Sequence, residues 1–334
     1  MRAALKIAGW VLGILVVAAG GVVASLALRK PSQRPAALEQ IERTPERIAR
    51  GRYVAENLSG CIDCHSDRNP TWAMPPKRGT EGQGGFVFDE KFGVPGKVCA
   101  QNITPDRETG KGTWTDGELV RAIREGVDRE GGAVFPMMPY EYFHEMSDED
   151  ARSVVAYLRT LPAIKHEVPP RTLAFPVNLL VKLSPRPILH PVETPDDAKD
   201  HHAYGKYLVA IALCMDCHTA HDDHGQRLPG REFAGGWVMR GPWGTVVTAN
   251  LTPHPETFVG RATKAEFIGR FKSLEAVDDQ HGAAAAPGRN TVMPWYPYSR
   301  LTEKDLGAIY DYLRTLPPIE NKIDSFPEAA TASR

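Results

Sequence analysis

The longest unbroken apolar run in the chain is at its start. Ile7–Leu28 covers 22 residues without a charge, preceded by Arg2 and Lys6. As a helix rising roughly 1.5 Å per residue, such a run crosses a hydrocarbon layer of roughly 30 Å, and it exceeds the roughly 7 to 15 apolar residues of a cleaved signal. An uncleaved single-pass transmembrane helix within residues 1–30 is therefore expected. The competing reading is a long secretory signal cut near Ala27, with Ser25 and Ala27 as the small residues. After a linker at 31–44, the pattern changes to short amphipathic segments separated by loops rich in Gly and Pro. Thr115-x-x-Glu118 and Thr263-x-x-Glu266 read as capping boxes, and Ser147-x-x-Asp150 and Thr302-x-x-Asp305 as looser helix starts. The stretches Val155–Pro162 and Ile309–Pro317 read as closing helices, each stopped at a proline.

These signals come in pairs. Gly51-Arg52-Tyr53 is answered 154 residues later by Gly205-Lys206-Tyr207. Further on, Asn102-Ile103-Thr104-Pro105 answers to Asn250-Leu251-Thr252-Pro253, and the helix starts and closing helices follow in the same order. The chain reads as a tandem duplication. Each copy, 45–162 and 201–320, is expected to be a small, mainly α module: a helix, a long loop, a middle helix, a Met-containing loop and a final helix. Between them, 163–200 holds Pro169, Pro170, Pro176, Pro185, Pro187, Pro191 and Pro195, which forbids long helices and predicts an extended connector. Its apolar stretch Leu173–Leu183 is too short to span a bilayer and is expected to pack across the two modules. Residues 321–334 remain as a C-terminal tail.

Composition adds limits rather than direction. With 334 residues, 42% hydrophobic, 24% charged and a formal net charge of −1, the chain is an ordinary globular sequence. Basic residues are interleaved with acidic ones, with no basic stripe of the kind that binds nucleic acid.

The chemistry is concentrated in Cys61-Ile62-Asp63-Cys64-His65 and Cys214-Met215-Asp216-Cys217-His218. Both have the C-x-x-C-H form of covalent haem attachment. Two thiols three residues apart reach the two vinyl groups on one haem edge, and the adjoining His presents a ring nitrogen to the iron. Two haem c groups are expected, held by Cys61, Cys64, Cys214 and Cys217, with His65 and His218 on the irons. A thioredoxin-like redox pair has no use for the His or for a second copy. Zinc knuckles lie roughly 15 to 20 residues apart, far closer than Cys64 and Cys214. A disulfide within either motif would strain a tight loop and consume the thiols. Cys99, the fifth cysteine, reads as a small buried thiol.

Each iron needs a sixth ligand, and Met or a second His suits electron transfer where an open position suits catalysis. Met137 and Met138 compete in the first module. The repeat selects Met138, because Met138-Pro139-Tyr140 faces Met293-Pro294-Trp295, so Met138 and Met293 are the expected axial ligands. Met74 lies too close after His65, and Met215 lies inside a motif. His144 is the rival in the first module, but its counterpart is Ser299. His218-x-x-His221-x-x-His224 with Asp222 and Asp223 resembles a metal site but reads as a solvated loop. Basic residues on both sides of the apolar run leave its orientation open. Covalent haem attachment occurs outside the bacterial cytoplasmic membrane, which puts Pro31 onward in the periplasm and the anchor in the inner membrane.

Taken together, the two C-x-x-C-H motifs, Asn102-Ile103-Thr104-Pro105-Asp106, Thr109-Gly110, Trp114-Thr115-Asp116, Met138-Pro139-Tyr140 and Met146-Ser147-Asp148-Glu149-Asp150 resemble one family over roughly residues 45 to 320. It is the cytochrome c subunits of periplasmic alcohol and gluconate dehydrogenases and related dihaem cytochromes. The resemblance implies tandem class I cytochrome c-like domains, His/Met ligation at both irons, and one-electron relay from a dehydrogenase towards quinone, an oxidase or a soluble cytochrome. Those subunits usually carry three haem modules, where this chain has two and an N-terminal membrane segment. An enzyme of the dihaem peroxidase type would need an open iron. One of the thiosulfate dehydrogenase type would need a cysteine ligand, for which Cys99 is the available thiol.

Overall fold

The computed structural model describes residues 2–222, 225–241, 243–277, 280 and 289–327. Helix α1 (Arg2–Leu28) is followed by two halves with the same order of helices. The first contains α2 (Pro45–Arg52), which runs on into a π-helical turn at Tyr53–Leu58, then α3 (Cys61–Cys64), β1 (Val87–Phe88), β2 (Gly96–Cys99), α4 (Asp116–Glu125), α5 (Tyr140–Phe143) and α6 (Asp148–Leu158). A connector holds β3 (Thr172–Leu173) and α7 (Val177–Leu180). The second half contains α8 (His201–Ile211), α9 (Cys214–Cys217), β4 (Val238–Gly241), β5 (Gly244–Val247), α10 (Phe258–Arg261), α11 (Lys264–Lys272), α12 (Trp295–Ser299) and α13 (Glu303–Arg314).

The helix starts are where capping chemistry puts them. Thr115 and Thr263 each accept from the third residue of their helix, and Glu118 and Glu266 reach back to the cap N–H groups, closing both boxes. Ser147 and Thr302 cap α6 and α13 by accepting from the Asp150 and Asp305 backbone N–H groups. Thr44 caps α2, with Pro45 in the first turn, where its missing N–H costs nothing. The strands are two to four residues long and carry no alternating pattern that the sequence would reveal. β2 pairs antiparallel with β1 (Val87 with Cys99) and with β3 (Gly96 with Leu173), and β4 pairs with β5.

The first and last helices of each half cross closely. At α2 on α6, a Cβ on Gly51 would lie 1.8 Å from the Ser153 carbonyl oxygen; at α8 on α13, one on Gly205 would lie 2.3 Å from that of Ala308. Glycine is what lets the backbones touch. A single core runs through both halves, from Val54, Leu58, Phe143 and Val155 to Leu208, Ile211, Leu306 and Leu313.

The interface between the halves is reciprocal. The Tyr53 hydroxyl donates to Asp305 at 2.5 Å and accepts from the Thr302 N–H at 3.1 Å. Its counterpart Tyr207 donates to Asp150 at 2.5 Å and accepts from the Ser147 N–H at 3.2 Å. Equivalent residues thus contact each other's equivalents, the pattern of an isologous dimer within one chain. The buried tyrosines beside these carboxylates have their pKa pushed up by burial and by the neighbouring negative charge.

Two regions depart from expectation. Residues 31–44 are docked, not a free linker: Gln33 donates to the Gly131 carbonyl at 3.2 Å, Arg34 pairs with Glu125 at 2.7 Å, and the Ile41 N–H donates to Asp116 at 3.0 Å. The apolar connector is tied to the first half and to the end of α1. Its β3 joins the sheet of the first half, and the Lys182 ammonium donates to the Ala27 carbonyl at 2.6 Å, tying it to the end of α1. Pairing with β2 gives the backbone of this proline-broken segment partners it cannot provide internally, and the Lys182 side chain serves carbonyls at the end of α1. Of the tail, residues 321–327 lie on the second half, where Asn321 donates to the Ala234 carbonyl at 2.9 Å; 328–334 fall outside the described residues.

Candidate haem centres

Both C-x-x-C segments form a single helical turn, α3 and α9, entered from a residue in the left-handed conformation. That residue is Gly60 (φ 63°) in the first half and Leu213 (φ 59°) in the second. The turn puts the first and last cysteine side by side and leaves the histidine at its end. His65 and His218 each direct Nδ1 at a backbone carbonyl, Gln101 at 2.6 Å and Ala249 at 2.7 Å. A carbonyl only accepts, so Nδ1 must carry the proton and donate. Nε2 is left with a free lone pair, the state required of an iron ligand. Burial pushes both imidazoles towards the neutral form.

The same carbonyls explain the Asn-x-Thr-Pro repeat. Gln101 precedes Asn102, whose Oδ1 accepts from the Thr104 N–H (3.0 Å) and hydroxyl (2.7 Å) while Nδ2 donates to the Ile164 carbonyl at 2.8 Å. Ala249 precedes Asn250, which accepts from Thr252 (2.9 and 2.8 Å) and donates to the Ile319 carbonyl at 2.8 Å. In each half a buried asparagine pins the loop to the chain beyond the last helix, and so fixes the carbonyl that orients the histidine. Replacing Asn102 by alanine is expected to cost about 2 kcal/mol, because buried partners lose their bonds. Denaturant titration followed by absorbance and by circular dichroism measures it, and an unchanged midpoint would rule the role out.

The thiols fit thioether chemistry better than thiolate chemistry. Burial pushes Cys61 and Cys214 up to about 12 and raises Cys64 and Cys217 as well. A redox pair or a zinc knuckle needs the opposite shift. Cys64 is nonetheless accessible. Cys61, Cys214, Met138 and Met293 all border the shared core. The two methionine loops have the same form: Tyr140 N–H donates to the Met138 carbonyl and Trp295 N–H to that of Met293, both at 2.8 Å.

The competing residues have neighbours of their own. Met74 is buried in a separate cluster with Trp243 and Val246. His144 points Nδ1 at the Arg124 carbonyl, 3.3 Å away. Cys99 is buried at the end of β2, and burial raises its pKa. His221 lies against the Trp237 ring, centroids 4.1 Å apart; Asp223 and His224 fall outside the described residues.

Sequence reasoning missed the residues between the motifs. Burial holds the Tyr298 hydroxyl well above its ordinary pKa, with the nearby Cys214, Cys217, Asp63 and Cys64 adding to the shift, and the hydroxyl donates to the Ala212 carbonyl at 2.6 Å. Tyr142 of the first half donates to Asp216 of the second motif at 2.8 Å. The two attachment motifs therefore lie near each other at the interface. Only the tandem register hinted at this, since two equivalent surfaces on one chain can pair.

A family model described as Cytochrome c matches residues 202–317. The chain is 28% identical over 285 residues to the fructose dehydrogenase cytochrome subunit of Gluconobacter japonicus, covering 81% of this chain and 52% of that one. To the cytochrome c subunit of the quinone alcohol dehydrogenase of Gluconobacter oxydans it is 29% identical over 287 residues, 81% of this chain and 55% of that one. A diheme cytochrome c-type protein of Cereibacter sphaeroides is 29% identical over 273 residues, 78% of this chain and 83% of that one. The chain thus spans about half the length of the two dehydrogenase subunits. It resembles the cytochrome c subunits of dehydrogenases and a dihaem cytochrome. A cytochrome c domain implies covalently bound haem c, and the donor sets of α3 and α9 fit that group.

Proposed function

We propose that the chain is a membrane-anchored, periplasmic dihaem cytochrome c. Its two class I-like domains, 45–162 and 201–320, relay single electrons from a periplasmic dehydrogenase to quinone, an oxidase or a soluble cytochrome. The observation that carries the reading is the repeated pairing of a C-x-x-C turn with a histidine whose Nδ1 is committed to a backbone carbonyl. Haem c supplies reversible one-electron exchange at iron. The residues of this chain do the rest. Cys61 and Cys64, and Cys214 and Cys217, hold the groups through sulfur. His65 and His218 would ligate the irons through Nε2, with Met138 and Met293 as the second protein ligand of each. A thioether ligand favours the ferrous state and raises the potential, and a filled site keeps oxygen and peroxide off the metal. The motifs lying near each other around Tyr298 support rapid exchange between the two centres, and the relatives named as dehydrogenase subunits support a dehydrogenase as donor.

The test is the near-infrared sulfur-to-iron charge-transfer band of the oxidised protein. Met138→Ala is expected to remove about half of it and Met293→Ala the other half, each with a fall in one midpoint potential. A full-strength band in either variant would refute that ligand.

A further inference from the structure

We propose that the connector is a second membrane contact, seating the first half against the bilayer surface where α1 leaves it; this rests on reading α1 as a membrane anchor. Segment 171–190 presents Phe175, Leu180, Leu183 and Leu189 to solvent at 68%, 43%, 46% and 76% exposure, while Val181, between two of them, is buried at 4%. The inward residue fixes the segment to the body, and the outward ones are apolar side chains that none of the described residues covers. They are not free to sit anywhere. Lys182 donates to the Ala27 carbonyl at 2.6 Å and the Leu26 carbonyl at 3.3 Å, two of the four carbonyls that a helix end leaves without partners. The apolar side chains are therefore held at the last turn of a helix that carries no charge from Ile7 to Leu28 and has no buried residue.

The charge pattern indicates lipid rather than a protein partner. From Arg171 to His190 the chain carries Arg171, Lys182 and Arg186 and no acidic residue, and Arg29 and Lys30 follow α1 directly. Apolar side chains flanked by basic ones at the mouth of a membrane helix are the composition of an interfacial segment above anionic headgroups. With residues 31–44 docked on the first half, the haem-bearing body would be held in one orientation to the membrane instead of swinging from a tether.

The test uses the full chain in nanodiscs of phosphatidylglycerol and phosphatidylcholine, with benzoylphenylalanine placed singly at positions 175, 180, 183 and 189. Position 10 in α1 and position 277 in the second half serve as references. Lipid adducts at the connector positions are expected to exceed those at 277 by about five-fold and to approach those at 10. Strong adducts at 10 with connector yields no higher than at 277 would overturn the second contact and leave the anchor standing. Adducts at the connector without any at 10 would keep the contact and remove the anchor. Background yields at both would remove both.

Discussion

Substituting serine for both Cys214 and Cys217 is expected to halve the haem that stays with the denatured polypeptide, and to leave the first half spectrally intact. The matching change at Cys61 and Cys64 should do the converse, and all four together should give a colourless protein. Pyridine haemochrome content per chain, measured after denaturation and acid-acetone extraction, reads the result directly. The effect should extend beyond the chromophore. Cys214 and Met293 border the core that also contains Leu208, Leu306 and Leu313. A hollow lined by apolar residues and left without its planar group gives up contacts on one side, at about 24 cal/mol for each Å³ of cavity. The second half should therefore melt earlier than the first in the Cys214/Cys217 variant. The first half should suffer as well, since Tyr53 depends on Asp305 and Thr302 for its partners. Retention of two covalently bound haems in that variant would end the dihaem reading.

Much of this arrangement was legible because its signals are local. Caps at Thr115, Thr263, Ser147 and Thr302, prolines after the closing helices and the two pentapeptides are written in consecutive residues, and each is satisfied within a few positions. The offset of the repeat then predicted equivalences that the fold keeps, down to matching Met138 and Met293 turns. What stayed hidden is long-range. The strands beside the haem motifs are held by pairings such as Val87 with Cys99, not by their own patterning. The Asn-x-Thr-Pro motif marked the register without disclosing that Asn102 and Asn250 pin the carbonyls facing His65 and His218. The apolar connector shows the same limit: its composition led to an expectation of packing across the two modules. Its actual neighbours, β2 and the end of α1, lie about 75 and 155 residues away in sequence.

The helix crossings give the other large expected effect, and here Gly51 and Gly205 should behave oppositely to Gly269. A Cβ at Gly51 would lie 1.8 Å from the Ser153 carbonyl oxygen and 2.9 Å from the Tyr157 Cβ, while one at Gly205 would lie 2.3 Å from the Ala308 oxygen. Neither obstacle is the tip of a flexible side chain, so α2 must separate from α6, or α8 from α13, before an alanine fits. Separation would open the core at Val54, Val154 and Val155, all buried. Gly51→Ala is expected to cost about 3 kcal/mol or more, and Gly205→Ala somewhat less. Gly269, on α11, has nothing within 4 Å of the same hypothetical atom. There the substitution removes only the conformational freedom of glycine in a helix, so Gly269→Ala should be stabilising by about 0.5–1 kcal/mol. Thermal and denaturant melts of the three holoproteins separate these signs. Equal responses at positions 51 and 269 would mean that the close crossing is absent, and with it the packing that brings each closing helix against the helix leading into its haem motif.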